Sequence, residues 1–197
     1  KIKIHFNEFI LYGGYPKAME FFNDRCAWHD YVGSSIINPI IDVDIYQQGK
    51  FKDVNKLRRA FRVFCQELNS DINFTSLLNK IQQTGNTDII KRYLDGYADS
   101  FLLTQLPRID ENGFPDTSKN PRILLNCPAV FTYGRNSEKS INEDPIRFEQ
   151  AVAGELSKMP HTTFGYWQES DEIGMDYFIR TDDQEIFGIN IEGKEVN

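Results

Sequence analysis

From Val54 to Leu68 the apolar positions Val54, Leu57, Phe61, Phe64, Cys65 and Leu68 keep helical period for four turns, with Arg58, Arg59 and Arg62 on the other side. No other stretch of the chain constrains the fold so tightly, and the patterns around it extend the helical reading in both directions. Phe6, Phe9 and Ile10 share a helical face before Gly13-Gly14, which supplies a left-handed stop. A second helix is expected from Lys17 to about Cys26 and a third apolar pattern at Trp28, Tyr31 and Val32, after which Asn38-Pro39 predicts an extended or turn segment before Ile40 to Ile45.

Beyond the break at Asn69-Ser70-Asp71, Phe74 to Ile81 forms a further candidate helix. In the next one Ile90, Tyr93, Leu94, Tyr97 and Phe101 share a face, with Thr87 as N-cap. Those aromatics are at core spacing and are read as core. Strands are expected at Phe101 to Leu106 and Arg122 to Asn126, separated by a polar loop. Three short helices followed by a two-strand wing outline a winged helix, in which the third helix would be the recognition element.

The last third has a different pattern. Asp144-Pro145 predicts an N-cap with proline at the first helical position. Phe148, Val152, Leu156 and Met159 then recur on one face until Pro160. Strand patterns follow at Thr162 to Gln168, Gly174 to Arg180 and Glu185 to about Lys194, the latter two joined by a turn at Asp182-Asp183. The expected fold class is therefore α+β: a helical connector over 1–49, a winged helix over 50–126, and an α/β domain over 127–197 that resembles an incomplete restriction-endonuclease-like fold in the order of its elements.

Charge divides along similar lines. The net charge is −2 over residues 1–49, +4 over 50–108 and −9 over 109–197, so only the middle third attracts a polyanion through its net charge. The basic candidates of the winged helix are Lys91, Arg92, Arg108, Lys119 and Arg122, with Asp88, Asp95 and Asp99 near the first two reducing the electrostatic footprint. Both a DNA-binding and a protein-docking surface stay open. The apolar runs fall short of the roughly 20 residues of a bilayer span, and neither a membrane segment nor a leader is visible. Cys26, Cys65 and Cys127 match neither a disulfide framework nor a zinc spacing, which predicts reduced thiols and a cytoplasmic location. The start at Lys1, with no initiator Met, reads as a piece of a longer protein; oligomeric state is left open.

In the final strand Asn190, Glu192 and Lys194 alternate with Ile189 and Ile191, placing a carboxylate and an ammonium side by side. The preceding strand carries Asp176, and the helix before it Glu149. Mg²⁺, or Mn²⁺ in its place, prefers a few hard carboxylate oxygens and retains several waters. Held by Glu149, Asp176 and Glu192, it would activate a water against a phosphodiester, with Lys194 orienting that water or neutralising charge. The same residues also read as a solvated ion pair on a strand and two structural acids.

Helix-Glu, strand-Asp, strand-Glu-x-Lys is the order of the PD-(D/E)xK nuclease fold. The segment Glu8-Phe9-Ile10-Leu11-Tyr12-Gly13-Gly14-Tyr15-Pro16 resembles the Gly-Gly-aromatic-Pro signature that follows the nucleotide-binding core in predicted AAA+-type ATPases whose C-terminal part is called domain of unknown function 4143. Tyr166-Trp167-Gln168, Ile173 to Ile179 and Ile191 to Lys194 are similar to strand motifs of that family. The resemblance implies an upstream ATPase module, then a winged helix, then a nuclease-like domain. ATP would enter only through the upstream module, since no Gly-x-x-x-x-Gly-Lys-Ser/Thr loop occurs here. Asn126 stands where relatives often have Asp, and Gly174 where an acid is usual. The chain ends three residues past Lys194, before the elements that complete the nuclease fold. The preferred expectation is an accessory binding region of an ATPase, with a metal-dependent nuclease as the alternative.

Overall fold

The computed structural model describes residues 2–48, 51–68, 71–82, 85–139, 143–169 and 174–191. The chain is α+β. Helix α1 (Ile2–Tyr12) ends at Gly13 and Gly14, where Gly14 takes φ +109° and its α-carbon lies so close to Cys127 that a Cβ would collide with that side chain. The Gly13 carbonyl accepts the Ala129 amide at 2.8 Å, which pins this turn to the start of α6 (Pro128–Arg135).

Two local expectations in this region are corrected. The segment from Lys17 to Cys26 is not one helix: a 3-10 turn over Ala18–Phe21 gives way to α2 (Arg25–Val32), started afresh by Asp24, whose carboxylate accepts the Ala27 amide at 3.0 Å. Nor does Asn38-Pro39 break the chain. Pro39 has φ −57° and ψ −42°, and π-helical turns over Gly33–Ile37 and Ile40–Ile45 carry the backbone through it. The widened i→i+5 turns, with Asn38 donating to the Gly33 carbonyl, accommodate a residue that has no N–H to give. Ile37, Ile41 and Ile45 are thereby buried on one side.

Helices α3 (Val54–Phe64), α4 (Phe74–Ile81) and α5 (Asp88–Asp99) pack on one another, and α5 lies against β1 (Leu103–Leu106), which pairs antiparallel with β2 (Arg122–Leu125). Asp53 caps α3 by accepting the Asn55 and Lys56 amides. Leu57, Ala60, Phe61 and Phe64 of α3 are fully buried, and each large side chain among them contributes about 1.5–3 kcal/mol. The Tyr97 hydroxyl, buried among them, donates to the Leu57 carbonyl at 2.7 Å. Phe101, expected to open β1 and to share the core face of α5, instead turns out at φ +58° and is 79% exposed.

One core runs from Tyr12 through Phe131 and includes residues on both sides of the expected boundaries at 49/50 and 126/127. Those boundaries separate elements, not cores. A second, smaller core joins Leu106 and Leu124 to Ala153 of α7 (Pro145–Leu156), Tyr166 of β3 (Thr162–Gln168) and Tyr177 of β4 (Gly174–Thr181). Strands β3, β4 and β5 (Ile186–Ile189) form an antiparallel sheet in that order. The two sheets meet where the Ile109 amide donates to the Tyr166 carbonyl at 2.7 Å and the Tyr166 amide to the Pro107 carbonyl at 3.0 Å. Gly165 permits this approach, since a Cβ there would meet Ile109 and the Pro107 oxygen.

Candidate functional site

Helix α7 carries Glu149, and its seating differs from the expected apolar stripe. Its buried side consists of Arg147, Gln150, Ala151, Ala153 and Gly154, whereas Phe148, Val152 and Leu156 are half-buried and Met159 lies past the helix end, exposed. The reason is the outer edge of β2, whose backbone groups need partners. Gln150 supplies them: its Oε1 accepts the Leu125 amide at 2.8 Å and its Nε2 donates to the Ile123 carbonyl at 3.4 Å. Gly154 fits against the Asn126 carbonyl, and the Asn126 side chain accepts the Thr104 hydroxyl at 2.7 Å.

This seating brings Glu149 to β4. The Tyr177 hydroxyl donates to Glu149 Oε1 at 3.1 Å. Burial, and then the charge of Glu149, push the Tyr177 ionisation well up, so the phenol stays a donor. Asp176, its neighbour on β4, continues the β4–β5 hairpin past the last ladder pair: its Oδ2 accepts the Ile191 amide at 2.7 Å, while its own amide donates to Asn190 Oδ1 at 3.2 Å. Glu149 and Asp176 both line one recess, with Arg122, Gln150 and Tyr177. Its volume is about 10 Å³, room for no more than one water.

Of the four residues expected to carry chemistry, two are thus brought together, and Glu192 and Lys194 lie outside the described residues. Among the described residues no three of His, Cys, Asp and Glu converge as a metal cage. Glu149 and Asp176 each have one oxygen engaged by a protein donor, Oε1 of the first by the Tyr177 hydroxyl and Oδ2 of the second by the Ile191 amide.

The five expected phosphate contacts divide into two groups. Arg108 donates to the Gln168 carbonyl. Arg122 donates through Nε to Asp71 Oδ1 at 3.0 Å and through Nη2 to Gln168 Oε1 at 2.7 Å, and its guanidinium lies 3.8 Å over the Tyr166 ring. Tyr166 donates to the same Asp71 oxygen at 3.0 Å, and burial raises its ionisation to about 12. These two arginines fasten β3 to the β1–β2 hairpin. Lys91, Arg92 and Lys119 are exposed, the first over the Phe74 ring at 5.4 Å and the second over Phe51 at 5.7 Å.

A different basic surface lies on α3. Asn55, Arg58, Arg59 and Arg62, at i, i+3, i+4 and i+7, line an open recess of about 450 Å³. Arg58 makes a two-pronged pair with Asp42, Nε to Oδ1 at 3.0 Å and Nη2 to Oδ2 at 2.5 Å. Arg59 donates to the Lys80 carbonyl at 3.0 Å and to Gln82 Oε1 at 2.8 Å. The sequence placed these arginines opposite the apolar face; three guanidiniums within one helical turn were the signal for this surface.

No curated protein and no solved structure matches the chain. A family model matches residues 3–133, from α1 into α6. That span holds most of the larger core and the α3 arginines, while Glu149 and Asp176 fall beyond it. The chain therefore belongs to the family described as Domain of unknown function (DUF8612).

Proposed function

We propose that the chain is a binding module that engages nucleic acid through its helical body, and that the Glu149–Asp176 end is a structural scaffold. The observation that carries this reading is the contrast between the two recesses. The acidic one, at about 10 Å³, is too small for a phosphodiester, and its carboxylates hold β4 and β5 in place. The basic one, at about 450 Å³, opens on the only third of the chain with net positive charge. In this reading α3, α4, α5 and the β1–β2 hairpin act as a winged helix. The module would serve the AAA+-type ATPase implied by the resemblance of Glu8 to Pro16, and that half of the reading rests on the resemblance.

Metal-dependent phosphodiester hydrolysis is the second reading, favoured by the shared recess of Glu149 and Asp176. Incubating the chain with Mg²⁺ or Mn²⁺ and labelled DNA or RNA separates the two. The binding-module reading expects retention of the oligonucleotide with no cleavage, and no change in product between the wild type and Asp176→Ala. Cleavage that Asp176→Ala abolishes would replace it with the nuclease reading. Absence of binding to any oligonucleotide would leave a protein partner as the target.

A further inference from the structure

We infer that the α3 face formed by Asn55, Arg58, Arg59 and Arg62, and not the exposed cations of α5, is the phosphate-binding surface of this chain. The inference rests on the binding-module reading and names its contact residues and ligand chemistry: the phosphodiester backbone of a nucleic-acid strand.

Three guanidiniums line one recess, and Asp42 pairs with Arg58 alone. Among the described residues neither Arg59 nor Arg62 meets a carboxylate, so the positive charge of this face is under-compensated. The bonds of Arg58 to Asp42 and of Arg59 to the Lys80 carbonyl and Gln82 occupy one edge of each guanidinium and fix its plane; Arg59 Nη2 and the exposed Arg62 guanidinium remain to meet a ligand. Pre-organised forks lose less side-chain freedom on binding than free ones.

The number of forks selects the ligand. A carboxylate has two oxygens and is satisfied by one guanidinium, as Asp42 is by Arg58. A phosphate offers oxygens in a tetrahedral array and accepts from several forks at once, with Asn55 adding a neutral donor. From Asn55 to Arg62 the helix advances about 10 Å at 1.5 Å per residue, the axial length of roughly three nucleotide steps of one strand. A strand, not a single phosphate, matches that length. On α5, by contrast, Lys91 and Arg92 lie over Phe74 and Phe51, and Asp88, Asp95 and Asp99 share their helix.

The experiment is fluorescence anisotropy of a labelled 20-nucleotide strand and the matching duplex, titrated with the full chain over a range of KCl concentrations. Arg59→Gln/Arg62→Gln is compared with Lys91→Gln/Arg92→Gln, and each variant's melting curve is taken to show that it folds. Loss of two charge-assisted contacts weakens binding about tenfold or more and flattens the slope of log K against log salt by about 1.4 to 1.8; the α5 pair leaves both within about twofold. The reverse pattern would overturn the assignment of the surface while leaving nucleic-acid binding standing. A wild type that binds poly-glutamate as tightly as the oligonucleotide, or ATP as tightly as the strand, would overturn the ligand class. A wild type that binds no polyanion at low salt would overturn both this inference and the reading beneath it.

Discussion

Truncating Arg147 to alanine would remove the joint between α7 and the helical body. Arg147 is 1% exposed; its Nη1 donates to Thr132 Oγ1 at 2.6 Å and its Nη2 to the Ser137 carbonyl at 2.5 Å, with the guanidinium 4.7 Å from the centre of the Phe131 ring. Thr132 in turn donates to the Leu11 carbonyl, so one cation ties α7 to α6 and, through it, to α1. Each hydrogen bond to a charged donor is worth about 1.5–3 kcal/mol. The desolvation of a buried cation, which also lowers its proton affinity, offsets part of this. Truncation forfeits both bonds, leaves the Ser137 carbonyl without this donor and opens a buried volume, a net cost of about 3–5 kcal/mol. At about 2–4 °C per kcal/mol for a chain of this size, Arg147→Ala should melt about 6–20 °C below the wild type. Thermal unfolding followed by far-ultraviolet circular dichroism measures it, and Arg147→Met, which fills the volume without the charge, should recover part of the loss. An alanine variant melting within about 2 °C of the wild type would refute the assignment of Arg147 as the joint.

Two further outcomes follow from burial. Cys26 is exposed, whereas Cys65 and Cys127 are buried and their ionisation is pushed up by burial, so Ellman's reagent should titrate one thiol of the native chain and three after denaturation. Rapid reaction of a second thiol in the folded protein would contradict that placement. The tyrosine hydroxyls of Tyr166, raised to about 12, and of Tyr97 and Tyr177, raised by burial, ionise later in the folded than in the unfolded chain. Their contribution to stability is thus complete below about pH 10 and is lost as pH rises toward and past 12. Melting temperatures should fall steeply over that window, in step with tyrosinate absorbance; a flat profile to pH 12 would rule this out.

Elements with one exposed and one buried face were legible in the sequence. The α3 stripe as far as Phe64, the Phe74–Ile81 helix, β2, β3 and the hairpin turning at Asp182-Asp183 lie where amphipathic period or turn chemistry places them, whereas Leu68, expected in the last turn of α3, bridges to Ile123 instead. The misread elements are those in which tertiary bonding overrides a local rule. Pro39 continues a helix because π-turns absorb its missing donor, and the buried side of α7 is polar because Gln150 and Arg147 satisfy a strand edge and carbonyls elsewhere. Hydrophobic periodicity does not register a buried amide or guanidinium. The site followed the same division. Glu149 and Asp176 were picked out by type and order and do share a recess, but only geometry shows that each is held by a protein donor. Arg108 and Arg122 read as phosphate contacts because charge counts do not reveal that both are half-buried between β3 and the β1–β2 hairpin, held by Gln168, Asp71 and Tyr166, whereas Arg59 and Arg62 are exposed.

Binding without cleavage is the central claim, and one mixture tests it. An end-labelled oligonucleotide is incubated with the chain and Mg²⁺ at low salt, and its anisotropy is read before the same sample is run on a denaturing gel. The account predicts raised anisotropy that KCl reverses, with the label still on full-length strand. Unchanged anisotropy, or a bound strand recovered as shortened product, would contradict it.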